Sequence, residues 1–160
     1  MARGIPLSTA GVKIGYCVET EANKRPETGY TRIHDIKEVP DFNPEPEAHE
    51  TTDLEQTEYK TYVAGLKDMG GALGFLANFT QSLQTSWEAL VAAYKAAKEE
   101  NKSTWFVIEH PDLAKAVYFQ GEPAAMGLPS MSVNAVLETT LYITPTGEPK
   151  WETKPTAYTD

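Results

Sequence analysis

Only one stretch of this chain carries a helical period. Leu83, Trp87, Leu90, Val91, Tyr94 and Ala97 recur at the spacing of a single apolar stripe, the pattern of a helix that buries one face. The helix is expected over 82–101, opened by a capping-box pair, Thr85 and Glu88, and stopped at Asn101. Elsewhere the apolar residues alternate with period two, which is the signature of half-buried strands. Val12, Ile14, Tyr16 and Val18 share a face over 11–19, and Leu73, Phe75, Ala77 and Phe79 share one over 72–79. The longest alternation, 132–144, puts Val133, Ala135, Leu137, Leu141 and Ile143 together. Shorter strand signals lie within 30–39, 47–54, 103–109 and 116–120.

Strands, one helix and strands again do not alternate as a doubly wound parallel sheet requires. The expected fold is therefore mainly β (α+β): an antiparallel β-sandwich or barrel flanked by one α-helix. Leu83, Trp87, Leu90, Val91 and Tyr94 are expected to pack on the sheet face carrying Val133, Ala135, Leu137 and Leu141. At 160 residues the chain reads as a single domain, 1–160. It has an N-terminal arm over 1–10 and a C-terminal arm over 148–160, the latter broken by Pro149 and Pro155. Pro40, Pro44 and Pro46 bar a regular helix before the middle of the chain.

Charge narrows the function classes. Fourteen basic residues stand against 23 acidic ones, net −9, and residues 41–68 alone hold 2 basic and 8 acidic groups. No basic patch exists to neutralise phosphates, which excludes ordinary nucleic-acid binding. No apolar run approaches a membrane span. The N-terminus lacks the apolar core of a signal peptide, so a cytosolic product is expected. The single cysteine, Cys17, forms no internal disulfide and completes no zinc set.

No motif for catalysis survives inspection. His34, His49 and His110 share no ligand spacing. The run from Gly65 to Gly71 lacks the ending of a phosphate loop and reads as a turn. The carboxylates of 45–58 are too many and too evenly spread to name an acid–base pair, and read as a solvated face. No catalytic, metal or cofactor site is expected, and the chain is not expected to be an enzyme. Residues 55–70 are different. They form a long connection without a clear period, and such loops are usually functional. Tyr59, Tyr62, Val63 and Leu66 alternate there with Glu58, Lys60, Lys67 and Asp68. The loop is expected to be mobile in the free subunit and to order against a neighbour. Trp151, isolated in a polar arm, is expected to anchor on a partner.

Four motifs in order carry a family resemblance. The opening Met1-Ala2-Arg3-Gly4-Ile5-Pro6-Leu7-Ser8-Thr9-Ala10-Gly11 resembles that of bacteriophage major tail tube proteins. So does the run from Thr57 to Asp68 with Gly70 and Gly71 after it, and so does the closing Tyr142-Ile143-Thr144-Pro145-Thr146-Gly147-Glu148-Pro149. The helix containing Trp87-Glu88-Ala89-Leu90 sits where that family has its helix. The resemblance implies a structural virion protein of a long-tailed phage or prophage, related to type VI secretion tubes. It implies hexameric rings stacked into a hollow tube through which DNA passes, assembled in the host cytoplasm. It implies as partners other copies of the chain, a tape measure protein, a tail tip or baseplate and a tail terminator, with no membrane and no cofactor. The 55–70 loop would then make inter-subunit and inter-ring contacts. A conduit should repel its cargo. The lumen-facing candidates are accordingly Glu47, His49 and Thr51, with Asn134, Glu138 and Thr140. A stand-alone β-sandwich module binding a carbohydrate or protein ligand stays open as the alternative.

Overall fold

The computed structural model describes residues 4–43, 46–67 and 71–159. In chain order the elements are β1 (Lys13–Val18), β2 (Tyr30–Ile33), β3 (Ile36–Glu38), β4 (Pro46–Glu50), β5 (Tyr62–Lys67) and β6 (Leu73–Asn78). Then follow α1 (Gln81–Glu99), β7 (Thr104–Glu109), β8 (Lys115–Pro123), β9 (Glu138–Pro145), β10 (Lys150–Thr153) and β11 (Tyr158–Thr159). The expected class holds: the fold is mainly β, with a curled sheet and a single helix among the described residues.

The main sheet runs β11-β2-β1-β7-β8-β9-β6-β3, with β10 also on β8. Every pairing in it is antiparallel except β11 with β2. The curl is made by β8, the longest strand. Its middle residues pair with β7 along one edge, while Gly121–Pro123 pair with the end of β9 on the other. Gly121 sits at the bend. A Cβ there would lie 2.6 Å from Ile143 Cγ2 and 3.4 Å from Phe106 Cε2, so only glycine lets the two halves of the sheet approach so closely.

The concave side holds the core. Ile14, Ile33, Phe75, Phe106, Phe119, Leu141 and Ile143 are buried there with Leu83, Trp87 and Leu90 of the helix. Phe119 stacks on Phe106 at 5.3 Å and meets Phe42 at 5.1 Å, distances at which aromatic pairs add to simple burial. The apolar stripe of α1 faces this core as its period requires.

The helix begins differently from expectation. Its N-cap is Thr80, whose Oγ1 accepts the Leu83 N–H at 3.0 Å and donates to Asp35 Oδ2 at 2.9 Å. Thr85 lies inside the helix, and its hydroxyl donates back to the Gln81 carbonyl. The Asp35 bond explains the choice: it ties the helix start to the β2–β3 corner, a tertiary contact outside any local capping pattern. The end matches the sequence reading, with Asn101 at φ 60 just past the last turn.

Four other expectations are corrected. The strand read over 132–144 begins only at Glu138. Asn134 takes φ 60 and turns the chain, leaving Val133 and Val136 at 89% and 73% exposed. The helix lies instead against β1, β2 and β8, and of the expected face only Leu141 reaches the shared core. The loop read over 55–70 contains a strand, β5. The C-terminal segment is no free arm. It supplies β10 and β11, and between them it straps the convex face of the sheet, where Pro155 is buried.

That strap closes a second buried cluster of Tyr30, Val107, Ala116 and Tyr118. Tyr118 donates to the Thr153 carbonyl at 2.6 Å, and the Arg25 guanidinium lies 4.3 Å from the centre of the Tyr118 ring. The Tyr158 ring fills the space over Gly15, where a Cβ would meet it at 3.1 Å. Residues 1–3, Pro44, Glu45, Asp68, Met69, Gly70 and Asp160 lie outside the described residues.

Candidate assembly surface

β4 and β5 form a two-stranded sheet of their own. Glu50 pairs with Tyr62, His49 with Val63 and Ala48 with Ala64, and a bulge shifts the register before Pro46 meets Lys67. Alternation then sorts the side chains. Glu47, His49, Val63 and Gly65 share one face; Ala48, Glu50, Tyr62, Ala64 and Leu66 share the other. Neither face is covered: every β4 residue is exposed, as are Tyr62, Val63, Ala64 and Leu66. A lone hairpin of this kind is marginal in water.

The hairpin tip is nonetheless well organised. Thr51 N–H donates to the Thr61 carbonyl at 2.7 Å, and Thr61 N–H donates to Thr52 Oγ1 at 2.9 Å. Asp53 Oδ1 accepts the Glu55 N–H, and Gln56 Oε1 accepts that of Asp53. Leu54, in the turn, is 103% exposed, and Tyr59, later in the same connection, is 80% exposed. Of the loop residues named from sequence, Glu58, Tyr59 and Lys60 thus lie on the tip, and Tyr62, Val63, Leu66 and Lys67 on β5. Asp68 falls outside the described residues.

The lumen-facing candidates divide. Glu47 and His49 are on β4, with His49 Nε2 at 3.9 Å from Glu47 Oε2. Thr51 is at the tip and bonds Thr61 through its hydroxyl. Glu138 and Thr140 are on the convex face of β9 beside Tyr142, and Asn134 is in the preceding turn. The fold of one chain does not bring the two trios together on one sheet. The charge of Glu138 on β9 is paired with Lys37 of β3. Trp151 is on β10 opposite Val117, at the mouth of the core, with its outer side exposed.

The N-terminal segment is tied down through a histidine. Asp112 N–H donates to His110 Nδ1 at 3.1 Å, so the ring proton sits on Nε2 and is donated to the Ser8 carbonyl. Beyond that anchor Ile5 and Leu7 are exposed. Among the described residues no group of three His, Cys, Asp or Glu side chains converges as a metal site requires. No helix among them is long and apolar enough to cross a membrane.

No protein-family model matches the chain, and no curated protein matches it. Its fold has a solved counterpart. The chain is similar to one in the cryo-EM structure of the anti-feeding prophage baseplate, 6-fold symmetrised, with a TM-score of 0.57 and 11% identity. The alignment covers 94% of this chain and 98% of that one. At this identity the shared property is the fold, over nearly the whole length of both chains.

The sequence reading of 55–70 as a long loop missed the strand within it. The signal was present: Tyr62, Ala64 and Leu66 alternate with Val63, Gly65 and Lys67. Both faces are apolar enough to blur the period, because both are free of the chain's own core. Val133, read from its alternation as buried, is exposed, as are Leu128, Met131 and Val136 nearby in the chain.

Proposed function

We propose that the chain is a structural subunit of a phage-like tail apparatus that assembles with copies of itself into hexameric rings, stacked as a hollow tube. The observation that carries this reading is the β4–β5 hairpin. It is an internally hydrogen-bonded arm, uncovered on both faces, with Leu54, Tyr59, Tyr62 and Leu66 all exposed. A monomer gains nothing from such an arm, whereas Tyr and Leu in that setting supply contact area to a neighbour. The end-to-end fold likeness to a chain of a prophage baseplate supports the setting. In this reading the tube meets a tape measure protein, a tip or baseplate and a terminator, and DNA passes without specific binding. The net charge of −9 and the absence of a basic patch suit a conduit that does not hold its cargo. The chain has no catalytic role in this reading.

That baseplate likeness also favours a second reading, a ring component of a baseplate rather than the repeating tube. Negative-stain microscopy of the purified chain at rising concentration separates the two. Long tubes of uniform bore support the tube, and rings that stop at one or a few layers support the baseplate. A strict monomer at high concentration overturns both and leaves a stand-alone binding module.

A further inference from the structure

Beside the helix lies a groove of about 390 Å³ between α1 and the segment that follows β8. Its floor and walls are Phe79, Trp87, Val91, Ala92, Met126 and Leu128, with Lys95 and Glu88 on the helix side. The Trp87 indole donates to the Ala124 carbonyl at 2.8 Å and so fixes the wall that faces the helix. Leu128 is 76% exposed, and Met131, Val133 and Val136, which follow it in the chain, are exposed as well. Exposed apolar surface continuous with a concave site marks a contact surface.

We propose that this groove receives the β4–β5 hairpin tip of a second copy of the chain, with Leu54 as the inserted side chain. The inference rests on the self-assembly reading and names its receptor. Two features select the tip as occupant. Its hydrogen bonds order the turn that carries the exposed Leu54 before any partner arrives, so little ordering entropy is lost on insertion. Its charges also match: Asp53 and Glu55 flank Leu54 in the chain and Glu58 follows in the same turn, acidic groups that suit Lys95, while Lys60 suits Glu88. Leu54 is fully exposed, so the tip does not occupy its own chain's groove. A knob and a socket on different surfaces of one chain make a heterologous contact, which propagates to closed rings or open stacks rather than stopping at a dimer.

The test uses two exposed cysteine substitutions, Leu54→Cys and Ala92→Cys, each in a Cys17→Ser background and each with a tag of different size. The two proteins are mixed at assembling concentration and oxidised mildly. The expected product is the mixed disulfide between the two tags, in large excess over that formed when Ala92→Cys is replaced by the remote Lys115→Cys. Lys95→Glu should raise the concentration needed for assembly about tenfold, and Glu55→Lys added to it should lower that concentration again. Particles by negative stain without an excess of the mixed disulfide overturn the groove assignment and leave self-assembly standing. If the unsubstituted chain forms no particles at the same concentration, the self-assembly reading falls and the groove assignment with it.

Discussion

The Glu19 carboxylate accepts the Trp105 indole N–H at 2.8 Å, and it does so while only 2% exposed. Its other oxygen accepts the backbone N–H groups of Asn23 at 2.9 Å and Ser103 at 3.2 Å. Three donors on one buried carboxylate tie the β1–β2 loop to the start of β7, across the second cluster. Glu19→Ala strands all three, and each orphaned donor carries a desolvation cost. Urea denaturation should show a loss of about 2–4 kcal/mol. Glu19→Gln, which still accepts, should lose less than half of that. Equal losses in the two variants would show that the volume retained by Gln counts for nothing and that both accepting oxygens of the carboxylate are required.

Trp87 combines packing and a polar tie. It is 2% exposed in the core between helix and sheet, and its indole reaches the Ala124 carbonyl. Trp87→Ala should cost about 3–5 kcal/mol through the cavity it leaves. Trp87→Phe keeps most of the volume and should cost about 1–2 kcal/mol through the lost bond. Thermal or urea unfolding of both variants checks the order. A Trp87→Phe loss as large as that of Trp87→Ala would mean that the 124–128 segment depends on this one bond.

What the sequence made legible followed from period and burial together. The helix stripe from Leu83 to Ala97 and the alternation of Leu73, Phe75 and Ala77 face one core, so their patterns are clean. Val133 and Ala135 alternate just as cleanly and are exposed, because Asn134 turns the chain before the strand begins. An apolar surface kept for a partner has the same composition as one kept for the core. β10 and β11 are too short to show a period, and their pairing with β8 and β2 is a matter of tertiary placement. The N-cap at Thr80 rests on Asp35, 45 positions away, which no local signature contains. The hairpin was marked by its tyrosines and its length, while its strand pairing was hidden because neither face is buried.

Burial gives the fold a defined response to alkali. Tyr30, Tyr118, Tyr158 and Tyr16 are all raised above the ordinary 10.0, and Cys17 above 9.0, chiefly because burial disfavours their charged forms. In each case the folded chain holds a proton that the unfolded chain has released. Their contribution is therefore intact below the unfolded values and is lost as pH rises through the folded ones. Stability should be flat with respect to these groups below pH 9.0 and fall beyond it, steepening past 10.0 as the tyrosines join. Urea midpoints across the alkaline range, paired with ultraviolet titration of phenolate, check this. Full phenolate absorbance before any loss of near-ultraviolet circular dichroism would contradict it.

Gly65 and His49 test whether the hairpin acts as a unit. The His49 ring lies across Gly65, and a Cβ at Gly65 would meet Nε2 at 2.5 Å and the Glu47 carbonyl at 3.1 Å. Real side-chain carbons do not approach so closely, so Gly65→Ala must push the imidazole aside and strain the β4 backbone. Removing the ring relieves the first of these but not the second. The hairpin has no residue in either buried cluster. Gly65→Ala should therefore leave the urea midpoint of the subunit within about 0.5 kcal/mol of the parent. Hydrogen exchange should quicken at Val63, His49 and their neighbours, since local opening draws on local contacts only. Assembly, followed by sedimentation, should require a higher concentration. Gly65→Ala with His49→Ala should recover part of the assembly, and His49→Ala alone should lose little. A Gly65→Ala subunit that assembles like the parent despite faster exchange would separate the order of the hairpin from its role in contact.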